Sequence, residues 1–111
     1  MGFVKREKSI VKYSEESISE AIHRKDGKPW EVQYNAKYSM YNSDGRMVAT
    51  GPLQRAVDDA SFKLFVSKEE TKNLEGNHLL LVELEHCDIS GMSEVIASFD
   101  IDFKRRLSKI S

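Results

Sequence analysis

One cysteine, two prolines and no apolar run longer than Leu79–Val82 set the first limits on this 111-residue chain. A lone Cys87 cannot form an internal disulfide, so a stapled secreted scaffold is excluded and a reducing cytosol is the expected site of maturation. "LLLV" falls far short of the roughly 20 apolar residues that a membrane-spanning helix needs. The opening residues "MGFVKREKS" turn charged after Val4 and lack the apolar core of a secretory signal. Arg6 stands where a myristoylation pattern requires Ser or Thr. An excess of one charge is missing as well. Seventeen Lys+Arg against eighteen Asp+Glu leave a net charge of −1, too little for sequence-independent attraction to phosphates or anionic lipid. The basic end, with Lys104, Arg105, Arg106 and Lys109, is a small footprint and reads as a solvated tail.

The signatures of catalysis are also missing. No G-x-S-x-G elbow, P-loop or G-x-G-x-x-G turn occurs. Cys87 falls in an apolar strand candidate, where a small buried thiol is the expected state. His78 and His86 share a strand but would lie roughly 27 Å apart at ~3.4 Å per residue, and His86 projects away from its neighbour Cys87. His23 stands apart from both, so no close ligand pair for zinc forms. Asp100 and Asp102 share a strand face and Asp58–Asp59 sits in a turn, without the glycine-containing loop of a calcium site. The chain is therefore read as a non-enzyme with no metal and no cofactor.

What is present is alternation. "EVIASFDIDF" places Val95, Ala97, Phe99, Ile101 and Phe103 on one face and Ile96, Ser98, Asp100 and Asp102 on the other. "AKYSMYN" alternates likewise, with Ala36, Tyr38 and Met40 inward and Tyr41 outward, and "SFKLFVS" points Phe62, Leu64 and Val66 inward and Phe65 outward. "NHLLLVELEHC" is apolar on both faces between Leu79 and Val82, as a central strand would be. Shorter candidates are "SIVKY", "SISEAIHR", "RMVAT" and "LQRAV". Asp26–Gly27 with Pro29, and "NSDG" with Asp44–Gly45, mark two turns, and Gly51–Pro52 marks a further break. Trp30, Tyr34 and Tyr38 fall on one face if their strand is continuous, which suits core packing better than an exposed platform. Tyr41, Phe65 and Ile96 are the outward contact candidates.

One segment reads differently. In "SKEETKNLEGN" Ser67 can cap a helix with Glu70 three residues on, the capping-box pattern, and Gly76 stands where such a helix would end. Only Leu74 is apolar between Lys68 and Glu75, so the segment is expected to be a one- or two-turn corner anchored by Leu74. About seven short strands with frequent turns then predict a single all-β domain over 1–111, with its core at about 9–104. The architecture expected is an antiparallel β-sandwich with one short helical corner. A cystatin-like α+β fold would need "SKEETKNLEGN" to extend into a long packed helix.

The order of these features resembles the immunoglobulin-like amino-terminal domain of phage baseplate upper proteins and related virion domains. Asp26-Gly27-Lys28-Pro29 fits the first turn, Ser43-Asp44-Gly45 the hairpin, and "LFVSKEETKNLEGNH" the corner that opens the next strand. The resemblance implies an immunoglobulin-like sandwich and a non-enzymatic structural role in a virion. Assembly would take place in the host bacterial cytoplasm, through contacts with other virion subunits or with a second copy in a homo-oligomer, and without nucleic acid or membrane insertion. Baseplate upper proteins continue into a long carboxy-terminal region, so the expected role here is a small tail or baseplate accessory or adaptor. A head decoration protein, or a free peptide- or carbohydrate-binding module, is the alternative.

Overall fold

The alternating runs become strands of two facing sheets. A computed structural model of the chain describes residues 8–13, 16–31, 34–57, 61–86 and 93–104; Asp58, Asp59, Cys87, residues 88–92 and residues 105–111 of the basic end lie outside it. The strands are β1 (Lys8–Tyr13), β2 (Ile18–His23), β3 (Tyr34–Asn42), β4 (Met47–Pro52), β5 (Gln54–Arg55), β6 (Ser61–Val66), β7 (Gly76–His86) and β8 (Ser93–Lys104), with one helical turn, α1 (Lys68–Thr71), between β6 and β7. A five-stranded sheet runs β1-β8-β7-β3-β4 and a three-stranded sheet β2-β6-β5. The fold is an all-β sandwich. The doubly apolar β7 is the middle strand of the larger sheet.

The inner faces fill the space between the sheets. Ala36, Tyr38 and Met40 from β3, Leu80, Val82 and Leu84 from β7, and Ala97, Phe99, Ile101 and Phe103 from β8 meet Ile18, Ile22, Phe62, Leu64 and Val66 from the smaller sheet. At about 1.5–3 kcal/mol per fully buried large apolar side chain, this cluster is the main source of stability. Trp30 joins it: the indole is buried, tilts against Phe62 with centroids 5.4 Å apart, and donates from Nε1 to the Ile22 carbonyl at 3.0 Å. Trp30 is thus a core residue, as the preferred reading of the sequence expects.

Three local features differ from expectation. β1 pairs with β8 in parallel, while every other strand pair is antiparallel. The chain enters at the edge of the larger sheet and then crosses to the smaller one, so no hairpin constrains its direction. Gly51 and Pro52 end β4 rather than break it, and the crossover comes at buried Leu53, whose amide donates to the Ala36 carbonyl at 2.9 Å. "LQRAV" supplies only the two-residue β5.

The third difference is a bulge in β8. Val82 pairs with Ala97 but Glu83 with Val95, which leaves Ile96 as the extra residue. Ile96 is half-buried and packs against the core, a correction to its outward placement, and Val95 moves to the outer face beside Glu83. A second bulge leaves Val48 between Ala49, opposite Met40, and Met47, opposite Tyr41.

The turns form as their residues dictate. Asn42 Oδ1 accepts from the Asp44 and Arg46 amides, both at 3.0 Å, and Gly45 adopts φ +80°, a region closed to most side chains. In the first turn, Asp26 Oδ1 accepts from the Lys28 amide at 3.0 Å and Asp26 Oδ2 pairs with Arg24 at 2.7 Å, while Gly27 takes φ +77°. These contacts, the Lys28 amide foremost, hold the Asp26 carboxyl below its ordinary pKa.

The corner is capped by Ser67 in extended conformation, but its side chain does not reach a backbone amide. The capping box is therefore not closed. Glu70 turns its carboxylate to the Tyr38 hydroxyl, which donates to Oε1 at 2.8 Å, and the Ser67 hydroxyl only brushes Oε2 at 3.5 Å. Thr71, fully buried, donates to the Glu16 carbonyl at 3.2 Å and anchors the turn together with half-buried Leu74. The helix stops at Lys72, and Gly76, at φ +87°, opens β7.

The Tyr38 ring needs the close approach of Gly51, where an added Cβ would lie 3.1 Å from Cε2. Burial first, and then the bond to Glu70, raise the Tyr38 pKa above its ordinary value of 10.0. The folded state thus favours the neutral phenol. Its contribution is complete below pH 10.0 and falls as pH climbs beyond it, because the unfolded chain then releases the proton more readily. Tyr38→Phe is expected to lower unfolding free energy at pH 7 by about 1–2 kcal/mol. It should also flatten the alkaline fall of stability, both measured by urea titration between neutral and strongly alkaline pH.

Candidate functional site

The outer face of the five-stranded sheet carries a strip of apolar side chains. Pairing register places Thr50, Ser39, Leu81 and Ser98 in one row across β4, β3, β7 and β8. The adjacent row runs Met47, Tyr41, Leu79, Asp100 and Ser9. Opposite residues in a sheet share a face, so the two rows form one continuous surface. Tyr41, Leu79 and Leu81 are half-buried and Met47 is 48% exposed. Ser39 and Ser98, short hydroxyl side chains beside Leu81, are sunk below their larger neighbours. The expected outward serine of β8 is therefore covered even on the face turned away from the core.

Charges border the apolar rows. Lys37 lies beside Glu83 in register and pairs with Glu85 at 3.2 Å; the Glu85 carboxylate raises the Lys37 pKa above its ordinary value. Asp102 pairs with Lys104 at 3.2 Å. This apolar strip inside a charged frame suits a protein contact with a dry centre and a wet rim.

The other outward candidates lie elsewhere. Phe65, on the outer face of the smaller sheet, is 57% exposed and sits opposite Ser19, far from Tyr41 in the fold because the core separates the two sheets. Ile96 lies near one end of the sandwich and lines a cleft of about 460 Å³ with His23, Arg24, Trp30, Tyr34 and Glu94. Tyr41, Phe65 and Ile96 are thus three separate places and not one site.

Sequence reading missed Arg55. Its guanidinium donates to the carbonyls of Trp30 at 3.0 Å, Tyr34 at 2.6 Å and Glu31, and lies 4.9 Å over the Phe62 ring. It ties the segment between β2 and β3 to the smaller sheet and so shapes the cleft. An isolated arginine in a polar stretch carries no periodic signal that would reveal this.

His78 is buried with its ring edge-on to Phe103 at 5.1 Å and Nδ1 3.1 Å from the Gly76 carbonyl, a packed core histidine. Among the described residues no group of three or more His, Cys, Asp or Glu is placed to hold a metal ion, and no helix is long and apolar enough to cross a membrane. No protein-family model matches the chain, and no curated protein matches it significantly.

Two outcomes follow for the Trp30 environment. The single tryptophan should emit as a buried indole and resist iodide quenching in the native state, with quenching appearing only on unfolding. Arg55→Lys, which keeps the charge but loses the planar fork, should cost about 1–2 kcal/mol in chemical denaturation and make Trp30 more accessible to iodide.

Proposed function

We propose that the protein is a non-enzymatic structural component of a phage virion, a tail or baseplate accessory or adaptor acting through protein–protein contacts. The observation that carries the contact role is the apolar strip of Tyr41, Leu79, Leu81 and Met47 on the outer face of the larger sheet. The opposite face of the same strands already fills the core, so these residues are surplus to folding. Apolar side chains grouped on a solvent-facing sheet mark an interaction surface.

The virion setting rests on the resemblance carried by Asp26–Pro29, Ser43–Gly45 and the corner at 64–78. Strand order supports its immunoglobulin-like part. β2-β6-β5 facing β8-β7-β3-β4 has the arrangement of strands B-E-D against G-F-C-C′ in a variable-type sandwich, here without the inter-sheet disulfide. The partners in this reading are other virion subunits, reached without a cofactor, nucleic acid or membrane.

A free binding module is the second reading, favoured by the mixed-polarity cleft beside Trp30. A ligand seated there would change the emission of the single tryptophan.

Mass spectrometry of purified particles from the phage encoding this chain is expected to find it at stoichiometric copy number. Leu81→Asp, placed on the outer face, should reduce incorporation at least tenfold while leaving the circular dichroism spectrum unchanged. Absence of the wild-type chain from particles, together with ligand-dependent change in Trp30 emission, would replace the virion reading with the binding module.

A further inference from the structure

Among the described residues the sandwich has four strand edges: β1 and β4 bound the larger sheet, β2 and β5 the smaller. An edge strand presents unpaired backbone N–H and C=O groups that can template another strand, and natural sheets blunt such edges with charge, proline or bulges. β1 carries Lys8 and Lys12, and β2 carries Glu20. β5 is two residues long and carries Arg55. β4 is different: its six residues, MVATGP, include no charged side chain.

We infer that β4 is a self-pairing edge, through which two copies of the chain join β4 to β4, antiparallel, about a two-fold axis. The occupant follows from electrostatics. In a two-fold antiparallel pair the residue on the axis lies opposite its own symmetry mate, so a charge placed there meets its own sign. Like charges directly opposite destabilise a strand pair. With no charged side chain, β4 is free of this repulsion in every register. It also has no charge with which to select a charged foreign peptide.

The surface beside the edge points the same way. The apolar row Leu79–Tyr41–Met47 ends at β4, where Met47 is 48% exposed, and pairing would continue that row into its copy. Two features limit the strength of the joint. The Val48 bulge twists one end of the strand, and Pro52 has no N–H to give at the other. The ladder is therefore short, and the dimer dissociates on dilution instead of being obligate.

This inference does not depend on the virion reading, and its test is made on the isolated chain. Size-exclusion chromatography with light scattering, from about 10 µM to about 1 mM, covers the range in which a small interface associates. The expected result is a mass that rises with concentration toward twice that of the monomer. β4 amides should gain hydrogen-exchange protection over the same range. Thr50→Lys and Met47→Lys should remain monomeric with native Trp30 emission. The second variant guards against loss of the bond from the Thr50 hydroxyl to the Tyr38 carbonyl, 2.8 Å. Val11→Lys, on the opposite edge at a residue 68% exposed, should dimerise as the wild type does. A wild-type chain that stays monomeric throughout overturns the inference. So do folded Met47→Lys and Thr50→Lys chains that dimerise undiminished.

Discussion

Two alternating apolar faces must be buried against each other, and the rest of the molecule is arranged around that constraint. The inner residues of β3, β7 and β8 have no other place to go than against Ile18, Ile22, Phe62, Leu64 and Val66 of the smaller sheet. Once they meet, a one-residue slip of any strand would turn its apolar set to solvent, so the register is held firmly. Connections then form where the chain must change sheets. Leu53 crosses from β4 to β5 with its side chain still in the core, and α1 carries the chain from β6 to β7.

Polar atoms enter this core at a few points, and each has a partner. Among the described residues no buried side-chain nitrogen or oxygen is left without one. The Tyr38 hydroxyl is the most consequential, because its bond to Glu70 ties the middle of the larger sheet to the helical corner. Gly51 makes room for the ring from the neighbouring edge strand. One phenol thus couples β3, β4 and α1, and the glutamate that sequence pattern would assign to a capping box serves the core instead.

Legibility in the sequence followed the range of the interaction. Period 2 in "EVIASFDIDF" and "AKYSMYN", and the turns at Gly27 and Gly45, are local and were readable. The corner was readable as a corner because a single apolar Leu74 cannot support a longer helix. What escaped was non-local. The bulge at Ile96 exists only against β7, so no inspection of β8 alone could have shifted Val95 outward. The parallel pairing of β1 depends on a strand some ninety residues away. Arg55 clamps carbonyls that lie 21 to 25 positions earlier, through contacts with no periodicity. The outer apolar strip was half legible: Tyr41 could be placed outward, but its proximity to Leu79 and Met47 required the pairing register.

The residues of the outer apolar strip and of β4 share one property: each breaks the rule its position would impose. Leu79 and Leu81 are apolar where an outward strand position calls for a polar side chain, and the core gains nothing from them. β4 is uncharged where an edge calls for charge. Aromatic character is a weaker guide, since Trp30 breaks no rule and is consumed by the core. Violations that bring no gain to folding are where a structure is expected to have been shaped by something outside itself. On the larger sheet they run from β7 across β3 to the edge at β4, while Phe65 stands apart on the smaller sheet and Val11 on the opposite edge.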